Sequence, residues 1–255
     1  MEPRPRYAWV VETRFDRAVV CAILDRFRPF RVEVNFANGF STAEYGDRVA
    51  YANREPLAKL HYFEPELPLE RRPAVLDIGC HLGYYGHYLL QHGATSYTGV
   101  ERDERLFDAG KLIRALSEQN LTALRLMHGD FGNPATQQLA AQLGPYDVVL
   151  SLASLNNIGN LTGALLALPR LMTEDGMLVL EYLAIETEEP ISRFHADGFA
   201  GDSTFRWSVS ESLVDQVLGS VGMVRARRLL EWKDDAVLGR GHLKIMALYR
   251  RTATT

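Results

Sequence analysis

The sequence predicts an α/β protein: a seven-stranded, mostly parallel, doubly wound sheet with a C-terminal antiparallel hairpin strand and an N-terminal cap. Three observations lead there. From Ala74 onward, short apolar segments alternate with amphipathic ones of helical length. The apolar segments lack the polar alternation of a half-exposed strand, which assigns them to a sheet covered on both faces. The last stretch breaks the rhythm with two strand-like runs joined by a short Asp- and Gly-containing loop, so one of them must run antiparallel to its neighbours.

The first 70 or so residues do not alternate in this way and are predicted to form a cap that covers the substrate. Within them "DRAVVCAILDRFRPF" reads as a helix with Val19, Ile23 and Phe27 on one side. "FANGFSTAEYGDRVAYANREPLAKLHYF" combines Asn-Gly and Tyr-Gly-Asp turn chemistry with many aromatics. The charged, proline-rich "EPELPLERRP" marks the junction, which sets the main domain at residues 71–255.

In that domain the strands are "AVLDIG", "SYTGVE", "LRLMHGD", "DVVLSL" and "MLVLEYLAI". The helices between them are "YYGHYLLQHG", "ERLFDAGKLIRALSEQN", "PATQQLAAQLG" and "LTGALLALPRLM". Leu106, Ala109, Ile113 and Leu116 recur at helical spacing and form one apolar stripe. Gly93, Gly144 and Gly176 fall where helices stop or turn into strands, and right-handed crossovers follow from the parallel order. A helix beginning near Ser210, "SESLVDQVLGSVGM", precedes the hairpin of "VRARRLLEW", "DDAVLGRG" and "HLKIMALYRR".

Composition narrows the function. The 255 residues are 47% hydrophobic, enough to bury a core without a disulfide or metal staple. Cys21 and Cys80 are the only cysteines, and His81, His87 and His92 match no common ligand spacing, so a metal site is not expected and a reducing cytoplasm is. The N-terminus lacks a signal-peptide core, and no run approaches the roughly 20 apolar residues of a membrane span. With a net charge of −4, the nearest approach to a basic patch is "VRARRLL", which reads as a strand with solvated arginines. A nucleic-acid partner is therefore disfavoured but left open, as is the oligomeric state.

The chemistry concentrates in "AVLDIGCHLGYYGHYLLQHG", where one acid, Asp77, sits in an apolar strand that runs into Gly79, Gly83 and Gly86. A lone buried carboxylate is costly, and ligands of doubly wound sheets bind beyond the carboxyl ends of the strands. A dinucleotide fingerprint wants glycine at i, i+2 and i+5. Counted from Gly79, those later positions hold His81 and Tyr84, so a nicotinamide cofactor fails on spacing. Glu101 ends the next strand about 20 residues on, where a ribose-gripping acid belongs. An acid after a strand is also a common helix N-cap, and for Glu101 and Asp130 both readings stand.

Taken in order from Ala74 to Tyr249, these segments resemble the class I S-adenosylmethionine-dependent methyltransferases. "LDIGCHLG" is similar to that family's acid-then-glycine first motif, with His81 in place of the middle glycine. The resemblance implies S-adenosyl-L-methionine as cofactor, with Asp77 facing its ammonium and Gly79, Cys80, His81, Gly83 and Tyr84 around its methionine end. "GVERD" implies Glu101 on the two ribose hydroxyls with Arg102 beside it, and "HGDF" implies Asp130 toward the adenine amine and Phe131 beside the ring. "PYDVVLSLASLNNI" resembles the fourth strand and adds Ser151 to the cofactor contacts. One carboxylate can accept from each of two hydroxyls, and a cationic ligand end offsets the burial of Asp77.

Methyl transfer is an in-line displacement helped mainly by alignment; a general base is needed only where the acceptor must lose a proton. Asn156 and Asn157 after the fourth strand, and Glu181 on the fifth, are the candidates, with Asn157 orienting the acceptor and Glu181 either a base or a hydrogen-bonded strand-end acid. The tRNA wobble-uridine carboxymethyltransferases are similar here, but carry Tyr-His where this chain has Asn156-Asn157. Leu180-Glu181-Tyr182 and Trp207-Ser208-Val209-Ser210, the latter entering a helix, also resemble that subgroup. Carboxymethyl transfer needs a further cation that the sequence does not identify. The aromatic insertion "SRFHADGFAGDSTFRW", with His195, is expected to wall the acceptor pocket. The expectation is a cytoplasmic enzyme methylating a small molecule on oxygen or nitrogen. A tRNA-modifying enzyme and a non-catalytic cofactor-binding protein are the alternatives.

Overall fold

The computed structural model describes residues 9–30, 32–45, 57–118, 122–199 and 202–252. The N-terminal segment contributes β1 (Val10–Val11), α1 (Arg17–Leu24), β2 (Asn35–Phe36) and α2 (Leu60–Phe63). Asp16 caps α1, its carboxylate accepting from the Val19 amide at 2.9 Å. The buried face of α1 is Val20 and Leu24, whereas Val19 is 39% exposed and Ile23 and Phe27 are only partly covered. The apolar pattern is wide enough to support either stripe, and packing against Trp9 and Phe30 selects the one offset by a residue. Of the turn signals, Gly46 and Asp47 lie outside the described residues.

The alternation then proceeds in the order that the sequence predicts: β3 (Ala74–Ile78), α3 (Tyr84–Gln91), β4 (Ser96–Glu101), α4 (Glu104–Leu116), β5 (Leu124–His128), α5 (Pro134–Leu143), β6 (Tyr146–Leu152), α6 (Leu161–Ala167) and β7 (Met172–Ile185), although β7 starts five residues before the predicted Met177 and takes in Gly176, expected to be a turn. Leu106, Ala109, Ile113 and Leu116 are all buried on α4. Next come β8 (Ser192–Phe194), β9 (Trp207–Ser210), α7 (Glu211–Gly219), β10 (Met223–Trp232), α8 (Asp235–Leu238) and β11 (His242–Arg251). The main sheet runs β10-β11-β7-β6-β3-β4-β5, with β11 antiparallel to both of its neighbours. β8 and β9, unexpected from the sequence, extend it to nine strands by pairing beside the end of β7. Trp207–Ser210 is therefore a strand rather than a helix entry, and only Ser210 is the cap, its hydroxyl accepting from the Leu213 amide.

Period-two alternation divides the core. Val75, Val148 and Val179 face one cluster with α3, α4 and the N-terminal segment. Leu76, Val149 and Leu180 face the other with α5, α6 and α7. The chain leaves β3 toward β4 and β5, then returns to place β6 on β3's other side. That reversal opens the carboxyl ends of β3 and β6, where a doubly wound sheet takes its ligand.

Candidate active site

The turn after β3 is built from left-handed backbone. Gly79 has φ +77° and Gly83 φ +77°, and His81, between them, adopts φ +56°. His81 thus takes a left-handed conformation that glycine adopts freely, at a cost of about 1–2 kcal/mol for an L-residue. A Cβ at Gly79 would lie 2.4 Å from the Ser154 Cβ, so this approach admits only glycine. Ser154 fills the gap between β3 and β6: its hydroxyl donates to the Ile78 carbonyl at 2.5 Å and lies 2.8 Å from the Ser151 hydroxyl. Ser151 is buried beneath it. The Cys80 thiol turns into the core against Gly99, and burial raises its pKa well above the ordinary value, so only its backbone faces the turn. Tyr84 opens α3 with its ring 4.6 Å from that of Tyr85 and 5.9 Å from that of Trp9.

Two buried acids flank the turn. Asp77 is 1% exposed and accepts from the Tyr97 hydroxyl at 2.5 Å. Burial pushes its pKa up to about 7; the Tyr97 bond and Lys59 lower it and Glu101 raises it. Glu101 accepts from the His81 amide at 2.9 Å through one oxygen and from the Asp103 amide at 2.8 Å through the other. Burial raises its pKa, opposed by those backbone donors. The N-cap role considered for Glu101 belongs instead to Asp103, whose carboxylate accepts from Leu106 of α4. Asp130 accepts from the Gly132 amide at 2.7 Å, and the N-cap of α5 is Asn133. Arg102 reaches across the rim, 2.8 Å from the Asn157 carbonyl and 3.8 Å from the Asp130 carboxylate, tying together the loops that follow β4, β5 and β6. The Phe131 side chain is 3% exposed and packs in the core with Met127 and Ile158.

The acceptor side differs most from expectation. Asn156 is a fastener: its amide donates to the Leu183 and Trp207 carbonyls at 3.1 and 2.7 Å and accepts from the Leu183 amide at 2.9 Å. Asn157, by contrast, keeps a buried side-chain oxygen without a hydrogen-bond partner. Glu181 is fully buried between the ammonium groups of Lys59 at 2.5 Å and Lys244 at 2.7 Å. Burial alone would raise the Glu181 pKa, but Lys59 and Lys244 outweigh it and leave the carboxyl lowered. So paired, Glu181 is a weaker proton acceptor than an unpaired carboxylate. In the insertion, His195 lies 2.8 Å from the Ser208 hydroxyl, and its ring packs on Phe199, which packs on His242. The arginines of β10 are ion-paired as well as solvated: Arg225 pairs with Glu211 and Asp215, Arg227 with Glu66, and Arg228 with Glu211 and Glu231, while the Arg227 and Arg228 side chains stay 65% and 40% exposed.

Sequence reasoning missed Lys59, Lys244 and Ser154. Lys244 has a readable signal, being a lysine set in the apolar run Leu243–Tyr249 of β11, diagonal to Glu181 because Leu183 pairs Lys244 and Glu181 pairs Met246. Lys59 comes from the segment before the junction, and no local pattern brings it to β7. Among the described residues no group of three His, Cys, Asp or Glu could hold a metal ion, and no helix is long and apolar enough to cross a membrane.

Residues 76–178 match the family described as a methyltransferase domain. A malonyl-(acyl-carrier protein) O-methyltransferase of Magnetococcus marinus is 30% identical over 172 residues, covering 62% of this chain and 57% of that protein. A tRNA U34 carboxymethyltransferase of Pseudomonas putida is 34% identical over 125 residues, covering 49% of this chain and 37% of that protein. The matched part is thus less than two thirds of either relative. Among solved structures, the N-terminal domain of EvdMO1 with SAH bound superposes with a TM-score of 0.69 at 14% identity, covering 93% of this chain and 98% of that one. An S-adenosylmethionine-dependent methyltransferase of Mesorhizobium loti gives a TM-score of 0.58 at 13% identity, over 76% of this chain and 98% of that one. At such identities the likeness concerns the fold, which is the Rossmann-like one that the sequence predicts.

Proposed function

We propose that this chain, a class I S-adenosylmethionine-dependent methyltransferase by domain family and fold, transfers a methyl group from S-adenosyl-L-methionine to a small-molecule acceptor, on oxygen or nitrogen. The observation that carries this reading is the join between Glu101 and the glycine turn. Each Glu101 oxygen spends one lone pair on a backbone amide, at 2.9 and 2.8 Å, and retains one for each of two neighbouring hydroxyls. The cradle suits a nucleoside for the same reason that it excludes a side chain: at Gly79 the backbone must be bare.

In this reading Asp77, buried and close to its titration point, takes the cofactor's ammonium, with Tyr97 steadying the carboxylate. Gly79, Cys80, His81 and Gly83 offer backbone, and Tyr84 covers the methionine end. Glu101 holds the ribose, and Asp130 with Arg102 borders the adenine; Phe131 contributes through its backbone, since its ring is in the core. Ser151 acts through Ser154, bracing the turn. When bound, the cofactor supplies a methyl carbon made electrophilic by a positively charged sulfur. The protein's own part is alignment and exclusion of water. Asn157 accepts a hydrogen bond through its unpartnered oxygen from a donor group of the acceptor other than the atom methylated, and Glu181 fixes two lysines instead of moving a proton.

The described part of the N-terminal segment covers the acceptor in this reading, its Lys59 pairing with Glu181. The pairing of the β10 arginines with carboxylates favours a small molecule over RNA. Two free cysteines suit a reducing cytoplasm. Calorimetry with S-adenosylmethionine, S-adenosylhomocysteine and NAD tests the reading. Low-micromolar or tighter binding of the first two and none of the third is expected, and NAD binding in their place would overturn it.

A further inference from the structure

Glu181, Lys59 and Lys244 form a cluster with one anion and two cations. A single lysine would suffice to neutralise the carboxylate or to fasten the N-terminal segment to the sheet. The second leaves an excess positive charge in a place where Glu181 is fully buried and the lysine side chains are only 20% and 27% exposed. The two ammonium groups carry six N–H donors, and among the described residues neither lysine forms an ion pair with any carboxylate but Glu181. Burial lowers the pKa of Lys59, with Glu181 opposing the shift, Lys244 adding to it and Asp77, the acid assigned to the cofactor's ammonium, opposing it more weakly from a greater distance. A second anion would relieve the imbalance.

Glu181 lies beside the loop that carries the proposed transfer site. Glu181 pairs in register with Leu152, the last residue of β6, and its carbonyl accepts from the Ala153 amide at 3.1 Å, just before Ser154 and Asn157. Both Asp77 and Glu181 push up the pKa of the buried Tyr84 and Tyr85 hydroxyls, after burial itself, so the acid assigned to the cofactor and the lysine-paired acid lie within electrostatic reach of the same two side chains.

We propose that the acceptor is a carboxylic acid, bound as its carboxylate by Lys59 and Lys244, with Glu181 setting the spacing of the two ammonium groups. This rests on the methyl-transfer reading above. One carboxylate oxygen stays on the lysines while the other gives an electron pair to the methyl carbon. The bond from that carbon to sulfur breaks with its electrons left on sulfur. The products are a neutral methyl ester and a neutral thioether, and no proton moves. A nucleophile already ionised at neutral pH needs no base, which matches a site where the buried acid of the cluster, Glu181, is committed to two lysines. Once esterified, the product no longer balances the lysines and loses its ionic hold.

The test uses the full chain saturated with S-adenosylhomocysteine and carrying 13C at the lysine ε-carbons. Acetate is titrated against acetamide while the ε-methylene signals of Lys59 and Lys244 are followed. Saturable shifts of both signals with acetate are expected, at a dissociation constant at least about tenfold lower than for acetamide. Lys59→Met and Lys244→Met each leave a neutral pair with Glu181. Both should melt near the wild type and bind S-adenosylhomocysteine within about threefold of it, yet lose the preference for acetate. Equal binding of acetate and acetamide, or a preference that survives both substitutions, overturns the proposal. So does tighter binding, by about tenfold or more, of an S-adenosylmethionine bearing a carboxylate on its transferred methyl, if it also displaces acetate, since the lysines would then read the cofactor. Failure to bind S-adenosylhomocysteine at all overturns the methyl-transfer reading itself, a result distinct from binding it without any carboxylate preference.

Discussion

Replacing Glu101 with glutamine separates the task that the structure shows for this residue, bracing the glycine turn, from the one proposed for it, holding the ribose. The carboxylate offers about four lone-pair positions. Two are occupied by the His81 and Asp103 amides at 2.9 and 2.8 Å, which leaves two for the ribose hydroxyls. Glutamine keeps one acceptor oxygen and gains an NH2 group that must face one of the two backbone donors. A buried N–H left without an acceptor costs about 1–3 kcal/mol, so Glu101→Gln should lower unfolding stability by that amount. Only one ribose hydroxyl then finds an acceptor, and the charge that strengthened its bond is gone. Losing one such charged hydrogen bond, worth about 1.5–3 kcal/mol, predicts S-adenosylhomocysteine binding weaker by roughly 10- to 150-fold. Calorimetry measures the second effect and urea unfolding of the ligand-free protein the first. Glutamine is the better probe than alanine, which would release both backbone donors and confound folding with binding. If affinity stays within about threefold of the wild type while stability falls, Glu101 is only a brace for the turn, and the ribose assignment fails.

Asp77, with its pKa raised from 3.8 to about 7, should make cofactor binding pH-dependent. An ammonium requires the ionised acid, so affinity for S-adenosylhomocysteine should rise between pH 6 and 8, by up to about tenfold per unit below the folded-state pKa; a flat profile refutes the contact. Because the shift is upward, the ligand-free fold loses stability as pH rises from about 4 through 7, and Asp77→Asn should stabilise it at pH 8 while weakening the cofactor. Gly79→Ala forces a Cβ to 2.4 Å from Ser154 Cβ at φ +77°. It should cost about 2–4 kcal/mol of stability and abolish cofactor binding, with Ser154→Gly restoring only the steric part; a tolerated alanine would show that the turn is not closely packed. Asn156→Ala strands three buried hydrogen-bonding groups on β7 and β9 and should cost at least about 2 kcal/mol in urea unfolding. Asn157→Ala should change stability by about 0.5 kcal/mol or less but slow methyl transfer; equal melting of the two variants would contradict their separate roles.

How much was legible in the sequence depended on how local the cause was. The strands from Ala74 to Leu152, the stripe on α4 and the Ser210 cap all follow from neighbours a few residues apart, and all appear where predicted. Glu101 was placed by its distance from the glycine turn, another local relation. The stripe on α1 was misread because its apolar residues cover more than one helical face, so tertiary packing made the choice of Val20 and Leu24. The failures on the acceptor side are all long-range. Nothing near Asn156 in sequence shows that its amide holds Trp207, 51 residues on. Nothing near Glu181 shows a lysine arriving from position 59. β8 and β9 exist because the end of β7 offers unpaired backbone to the returning insertion.

The charges along the crevice make the two halves of the site interdependent. Asp77 and Glu101 lie on the side assigned to the cofactor, and Lys59 and Lys244 on the side assigned to the acceptor. A sulfonium facing the lysine side meets a net positive cluster, whereas the neutral sulfur of S-adenosylhomocysteine does not. A carboxylate on the lysines removes that repulsion and adds an attraction to the sulfonium alone. Acetate should therefore tighten S-adenosylmethionine binding by a coupling of about 1–3 kcal/mol, and by reciprocity S-adenosylmethionine should tighten acetate equally. S-adenosylhomocysteine should show little such coupling, and Lys59→Met should reduce the coupling seen with S-adenosylmethionine. Calorimetric titration of each nucleoside with and without saturating acetate reads the difference directly. The argument fails if acetate affects the two nucleosides alike, because the lysine charge would then have no path to the reacting sulfur.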